Sequence, residues 1–209
     1  MASRLRAAPR GAELSGLLWM WKNTNHGSVR NRAGQVIDSN GFRPNVGLVI
    51  ANSEGQVLWA RRRGENAWQF PQGGVKDGES VEDALYRELD EEVGLARGDV
   101  AILGRTNGWL RYRLPRHLIR RRQRPVCVGQ KQVWFLLQLI ADERRIRLDR
   151  YPRPEFDDWM WLDYWDAVRH VVFFKRRVYK RALTQLAPLL FPGDDPAHPL
   201  DGRPAGPRG

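Results

Sequence analysis

Carboxylates crowd one short stretch of the chain: Asp83, Glu88, Asp90, Glu91 and Glu92, with Arg87 directly before Glu88. On a helix, residues three and four apart are neighbours, so Glu88, Glu91 and Glu92 share one side. At about 100° per residue from Leu85, they fall at about 300°, 240° and 340°. The apolar positions Val81, Leu85, Leu89 and Val93 cover about 320° through 80° on the same scale. The three glutamates therefore border the core-facing stripe, and Asp83, Tyr86, Arg87 and Asp90 are expected on the opposite side. Carboxylates crowded beside a core repel one another and lose hydration, which is costly unless they are paired or hold a cation. Hard oxygen donors of this kind suit Mg²⁺ or Mn²⁺. An ordinary solvated acidic face is the competing reading, and the phase against the apolar stripe alone leaves the two about even.

The elements that must position these groups can be read outward from that stretch. Ser80 to Val93 reads as a helix stopped by Gly94. A Gly-rich loop, Gly73 to Gly78, precedes it and can shape a site for phosphate and metal. Val46–Ala51 and Gln56–Ala60 read as strands joined by the turn Asn52-Ser53-Glu54-Gly55. Trp68–Phe70, Val100–Leu103, Trp109–Tyr112 and Gln132–Ile140 are further strands, and Trp159–Leu162 is ambiguous. Arg176 to Leu190 carries Val178, Leu183, Leu186 and Leu190 at helical spacing. The order implies an α/β fold with a mixed sheet between helices.

Length and composition bound the rest. The 209 residues, 42% hydrophobic with nine Trp, suffice for one packed domain. The net charge of +11 favours polyanionic partners, with a solvated basic face as the alternative. A single cysteine, Cys127, excludes a disulfide framework and a cysteine-based zinc site, and its apolar neighbours suggest a buried structural thiol. No apolar run is long enough for a membrane span, and no signal peptide is evident, which fits the cytoplasm. Residues 1–35 and 193–209 are expected to be disordered, leaving 36–192 as the domain.

The spacing Gly73, five residues, Glu79, seven residues, Arg87-Glu88-Leu89, any residue, Glu91-Glu92, any residue, Gly94-Leu95 resembles the Nudix box at every fixed position. The likeness extends to Gly41-Phe42-Arg43-Pro44-Asn45-Val46-Gly47, Trp68-Gln69-Phe70-Pro71-Gln72-Gly73-Gly74, Trp109-Leu110-Arg111-Tyr112, Gly129-Gln130-Lys131-Gln132, Pro154-Glu155-Phe156-Asp157 and Val171-Val172-Phe173-Phe174-Lys175-Arg176. These segments resemble the bacterial RNA pyrophosphohydrolases, also called dinucleoside polyphosphate hydrolases, from about Val36 to Leu190. Phe173 departs from the pattern, standing where a small polar residue is expected.

The resemblance implies the Nudix fold, an α+β sandwich whose box forms a loop–helix–loop, and hydrolysis of a phosphoric anhydride bond by water. It places metal ligands at Glu88, Glu91 and Glu92, with Gly73 beside them and Glu155 as a further ligand or the general base. Glu91 and Glu155 remain open alternatives for that base. Arg87 is implied as the orienting partner of the carboxylates and Glu79 as a support near the loop. Arg43, Arg62 and Lys175 are implied phosphate contacts, and Val172 and Phe174 an implied sandwich for a base. The dense arginines from Arg111 to Arg124 form either an RNA-backbone track or a solvated loop. The implied substrate is 5′-triphosphorylated or diphosphorylated RNA; the alternatives are a dinucleoside polyphosphate and a catalytically inactive RNA-binding module, which the intact box opposes. Because the family's chains start close to the Gly-Phe-Arg-Pro segment, Val36-Ile37-Asp38 resembles a translation start. Residues 1–35 are then either an extension that is not translated or a lineage-specific arm, which intact mass from the native host would separate.

Overall fold

The computed structural model describes residues 29–30 and 34–193. The strands are β1 (Val29–Arg30), β2 (Val36–Ile37), β3 (Phe42–Ala51), β4 (Val57–Arg62), β5 (Trp68–Gln69) and β6 (Gln72–Gly74), followed by helix α1 (Val81–Val93). Then come β7 (Val100–Arg105), β8 (Leu110–Arg113), β9 (Gly129–Leu139), β10 (Phe156–Leu162), α2 (Asp166–His170) and α3 (Arg176–Leu190). Eight strands form one mixed sheet with the spine β10-β4-β3-β9-β7; β5 joins β4, β6 joins β3 and β8 joins β9.

The centre is the parallel pair β3 and β9, in register from Phe42 opposite Gly129 to Ala51 opposite Gln138. Parallel central strands are covered on both faces and therefore read as continuous apolar runs, as Val46–Ala51 and Val133–Leu137 do. Alternate residues of β3 supply two cores. Val46, Leu48 and Ile50 pack with Leu85, Leu89 and Val93 of α1. Val49 and Ala51 pack with Trp59, Trp134 and with Val178, Tyr179, Leu183 and Leu186 of α3. This is the expected mixed sheet between helices. Gly47 is required by that packing, because a Cβ there would meet the Trp134 ring at 2.4 Å.

Helix α1 starts and stops for local reasons. The Ser80 hydroxyl accepts from the Asp83 N–H at 3.0 Å, satisfying one of the orphan donors of the first turn. Gly94 adopts a left-handed conformation at φ 70°, and its N–H closes onto Asp90 O, the usual glycine stop.

Several boundaries move. The Gly-rich loop is shorter than expected, because Gln72, Gly73 and Gly74 pair with Gly47, Val46 and Asn45 as β6. The ambiguous Trp159–Leu162 segment is the end of β10, which pairs with β4 over Phe156–Leu162. Strand β9 begins at Gly129, three residues before the apolar run, because Gly129, Gln130 and Lys131 still pair with β3 and β8. No helix among the described residues is long and apolar enough to cross a membrane. The segments expected to be disordered fall mostly outside the described residues, but Val29 and Arg30 lie before Val36 and form β1, paired with β2.

Candidate active site

The loop–helix unit and the sheet enclose a cleft of about 510 Å³ that gathers Arg43, Arg62, Gly73, Arg87, Glu88, Glu91 and Glu155. Strand β6 delivers Gly73 and Gly74 to its floor, α1 delivers the acids, and the loop before β10 delivers Glu155. Sequence separation gave no hint of this last approach. The Arg63 N–H donates to Glu155 O at 2.8 Å, and Arg62 Nη1 lies 3.8 Å from the Glu155 carboxylate.

The three helix glutamates differ in their surroundings. Glu88 and Glu92 are buried, at 7% and 5% exposure, whereas the Glu91 side chain is 44% exposed. The expectation that all three turn partly to the core therefore holds for two of them. Glu91 sits farthest from the apolar stripe in phase, and Lys76 Nζ lies 3.8 Å from its carboxylate. Glu92 Oε2 accepts from the Gln72 N–H at 2.8 Å. Burial pushes the Glu92 carboxyl well above the ordinary range, and the neighbouring Glu155 and Glu88 push it further. Glu88 is also raised, by burial first, and its ion pair with Arg87 does not undo this.

Arg87 was expected on the opposite side of the helix, yet on the same scale it falls at about 200°, only about 40° from Glu91, and its guanidinium meets the glutamates. Nε and Nη2 donate to the two Glu79 oxygens at 2.7 and 2.9 Å, a bidentate fork that suits a carboxylate. Nη1 donates to Glu88 Oε1 at 2.5 Å and to Glu91 Oε2 at 3.2 Å. Nη2 also donates to Gly74 O at 2.8 Å. A wheel places Cβ atoms, whereas a long side chain can cross from one face to the next.

Gly73 and Gly74 are small for contact reasons. A Cβ on Gly73 would lie 1.7 Å from Glu88 Cδ, and one on Gly74 would lie 2.2 Å from Arg43 Nη2. In the cleft wall and just behind it, polar side chains escaped the sequence reading. Gln132 Nε2 donates to Gln72 Oε1 at 3.0 Å, and Asn45 Oδ1 is buried without a hydrogen-bond partner. Their signal was the unusual polarity of Asn45 and Gln132 at the ends of apolar strands that pair with each other.

Other expected residues are not brought into this cleft. Val172, Phe174 and Lys175 do not line it. Lys175 is buried and donates to Gln69 Oε1 at 2.8 Å. Burial lowers its ammonium to about 8, assisted by Arg62 and opposed by Glu155 and Glu92. Phe174 packs against the α3-side core and lies 6.0 Å from the Tyr112 ring, whereas Phe173 is 69% exposed. The arginines at 111, 113, 116, 120, 121, 122 and 124 are exposed. Cys127 is half-buried rather than buried, with Sγ 3.2 Å from Gly129 O.

Among the described residues, no three acidic, His or Cys side chains already stand as a ready ligand set. Arg87 Nη1 bridges Glu88 and Glu91, which accounts for part of that separation. The donor chemistry nevertheless fits a hard divalent cation. Glu92 is buried beside two other carboxylates, and the Lys175 ammonium nearby forms no ion pair with it among the described residues, a charge arrangement that suits a cation. Gly73 leaves the space at Glu88 that any side chain would fill.

A family model for the NUDIX domain matches residues 41–182. The chain belongs to the Nudix family. Its Nudix relatives include a protein of Alkalilimnicola ehrlichii that is 64% identical over 177 residues, covering 83% of this chain and 98% of that protein. Another, from Halorhodospira halophila, is 60% identical and covers 81% of this chain and 93% of that protein. A third, from Pseudomonas aeruginosa, is 61% identical over 159 residues, covering 76% of this chain and 100% of that protein. All three bear the name RNA pyrophosphohydrolase. Among solved structures, the E. coli dihydroneopterin triphosphate pyrophosphohydrolase superposes with a TM-score of 0.54 at 23% identity, covering 68% of this chain and 97% of that one. That likeness concerns the fold, and it agrees with the sheet and helices found here.

Proposed function

We propose that this Nudix protein is an RNA 5′ pyrophosphohydrolase. It hydrolyses the 5′-triphosphate or diphosphate end of RNA to a 5′-monophosphate with Mg²⁺ or Mn²⁺, acts in the cytoplasm and starts mRNA decay. The domain that does this spans about residues 36–192. The observation that carries the reading is the cleft itself. Carboxylates from α1 and from the loop before β10 line one opening together with Arg43, Arg62 and Arg87. Relatives named for this activity, similar over nearly their whole lengths, support it.

Glu88, Glu91, Glu92 and Glu155 would hold the metal. When bound, a divalent cation there neutralises phosphate oxygens and lowers the pKa of an attacking water. The chain's own groups supply the rest. Arg43 and Arg62 bind the phosphates and balance the charge that spreads over their oxygens in the transition state. Arg87 fixes Glu88 and Glu91 and anchors both to Glu79. Glu91 and Glu155 are the cleft carboxylates able to take a proton from water, and each lies at the surface, where that proton can leave. Lys175 acts one layer back, holding Gln69, while Val172 and Phe174 offer an apolar edge for a base.

The test is purified full-length protein with Mg²⁺ and RNA labelled at defined 5′ ends, followed for release of pyrophosphate and phosphate. Conversion to the 5′-monophosphate end is expected. Unchanged RNA alongside rapid cleavage of a dinucleoside polyphosphate overturns the RNA reading.

A further inference from the structure

Gly34 and Gln35, just before Val36, contribute to the cleft. Strand β1 runs antiparallel to β2, with Val29 opposite Ile37 and Arg30 opposite Val36. Val36 and Ile37 are buried, which fixes the pair to the domain. Gly34, Gln35 and Val36 line the same opening as Glu88, Glu91 and Arg43. From β1, Arg30 Nη2 donates to Asp77 Oδ2 at 3.0 Å. Asp77 follows Lys76, itself a cleft residue. Arg30 thus stands at the rim, where this added wall meets the Gly-rich loop.

An exposed ion pair adds little stability, so the consequence of this one is placement: Asp77 fixes where the guanidinium sits. Arg30 retains 64% side-chain exposure, and among the described residues only one of its nitrogens is engaged. A guanidinium carries five donors, enough to keep Asp77 and take an anion as well. The cations step outward from the site. Arg43 lies deep against Gly74, Lys76 is 63% exposed beside Glu91, and Arg30 is at the edge. A polyphosphate end seated in the cleft must lead its chain out over a rim, and a phosphodiester backbone carries a negative charge at every step.

We propose that Arg30, held by Asp77, binds a backbone phosphate of the RNA downstream of the reacting 5′ end, and that β1 with Gly34–Val36 forms an extra wall of the binding cleft. The proposal rests on the RNA reading above and names the part of that substrate gripped outside the reaction centre.

The test compares the full-length wild type with Arg30→Ala and Arg30→Lys. One substrate is a 5′-triphosphorylated RNA of about twenty nucleotides; the other is a 5′-triphosphorylated dinucleotide, whose single phosphodiester adjoins the reacting end. Neutralising one phosphate contact on a single strand changes the slope of log affinity against log salt by about 0.7. Arg30→Ala is expected to raise KM for the long RNA about fivefold and to flatten its salt dependence by about that slope. Turnover at saturation and the short substrate are expected to be unaffected. Arg30→Lys keeps the charge and the slope. Equal losses on both substrates, or an unchanged salt slope in Arg30→Ala, overturn the proposal. A wild type inactive on both RNAs but active on a dinucleoside polyphosphate overturns the RNA reading itself, so the two failures are distinct.

Discussion

Gly73 and Glu88 share a space that admits no Cβ: an alanine at 73 would place that atom 1.7 Å from Glu88 Cδ. Strand β6 and helix α1 are held face to face by the strand pairing of Gly73 with Val46 and by the packing of Leu85 and Leu89. Neither backbone can retreat, so the Glu88 carboxylate must move. Gly73→Ala is expected to keep the fold, seen as an unchanged far-ultraviolet circular dichroism spectrum. It should cost on the order of a hundredfold in kcat, the scale at which a catalytic group displaced by about 1 Å is felt. Near-wild-type turnover would show that Glu88 is not needed where it stands.

Arg87 links Glu79, Glu88, Glu91 and Gly74 O through one planar group. A lysine has the charge but not the fork. Arg87→Lys is therefore expected to lose kcat by roughly tenfold or more and to weaken metal affinity, as outer partners of metal ligands do when replaced. In a double-mutant cycle with Glu79→Gln the two losses should be strongly non-additive, because the second change removes a contact already gone. Additive losses in kcat would mean that the two residues act separately.

How much of this was legible depends on how far apart in sequence the partners lie. The helix and both its ends are local: Ser80, Gly94 and the 3.6-residue spacing of Leu85, Leu89 and Val93 carry their signal within a few residues. The phase of Glu88 and Glu92 beside the core follows from the same spacing. The Arg87 contact with Glu91 follows from it too, as an i,i+4 pair, whereas the fork on Glu79 does not, because Glu79 lies before the helix. The pairing of Gln72 with Gln132 depends on strand register across the sheet, which neither segment contains alone. Lys175 illustrates the same limit. The resemblance implied contact with substrate, and only the fold reveals that Lys175 is buried and donates to Gln69. The Glu155 approach was expected by family resemblance, and the cleft now gives it a physical position.

Asp38 and Lys131 pair at the foot of β3 and β9, with Nζ 3.0 Å from Oδ2 and side chains only 7% and 12% exposed for Lys131 and Asp38. Burial pushes the Asp38 carboxyl up, but the Phe42 N–H, the Lys131 ammonium and the Asn40 N–H together hold it below its ordinary value of 3.8. A group lowered in the folded state binds fewer protons there than in the unfolded chain. Its stabilisation is complete above 3.8 and is lost as pH falls through the lowered value. Asp38→Asn is expected to cost about 3–5 kcal/mol near neutral pH, because it leaves Lys131 buried without its partner. It should also flatten the loss of stability on acidification below pH 4. Urea melts across pH 2.5–7 would measure both effects, and a variant as stable as wild type at pH 7 would remove this pair from the account.

Glu92 gives the sharpest test of the charge argument, because its carboxylate is 5% exposed and its neighbours Glu88 and Glu155 are also acidic. Glutamine keeps the shape and an oxygen able to accept from the Gln72 N–H while removing the charge. In excess chelator, Glu92→Gln is expected to melt at a temperature equal to or above that of wild type, since no buried carboxylate is left to desolvate or to repel its neighbours. Adding Mg²⁺ should raise the melting temperature of wild type more than that of the variant, because only a state that binds ligand is stabilised by it. Turnover should fall by at least about a hundredfold, since even outer-shell partners of a metal are worth roughly 10–100-fold. A variant that melts far below wild type in chelator would mean that the Glu92 charge is satisfied without a cation. A variant with full activity would remove Glu92 from the metal site.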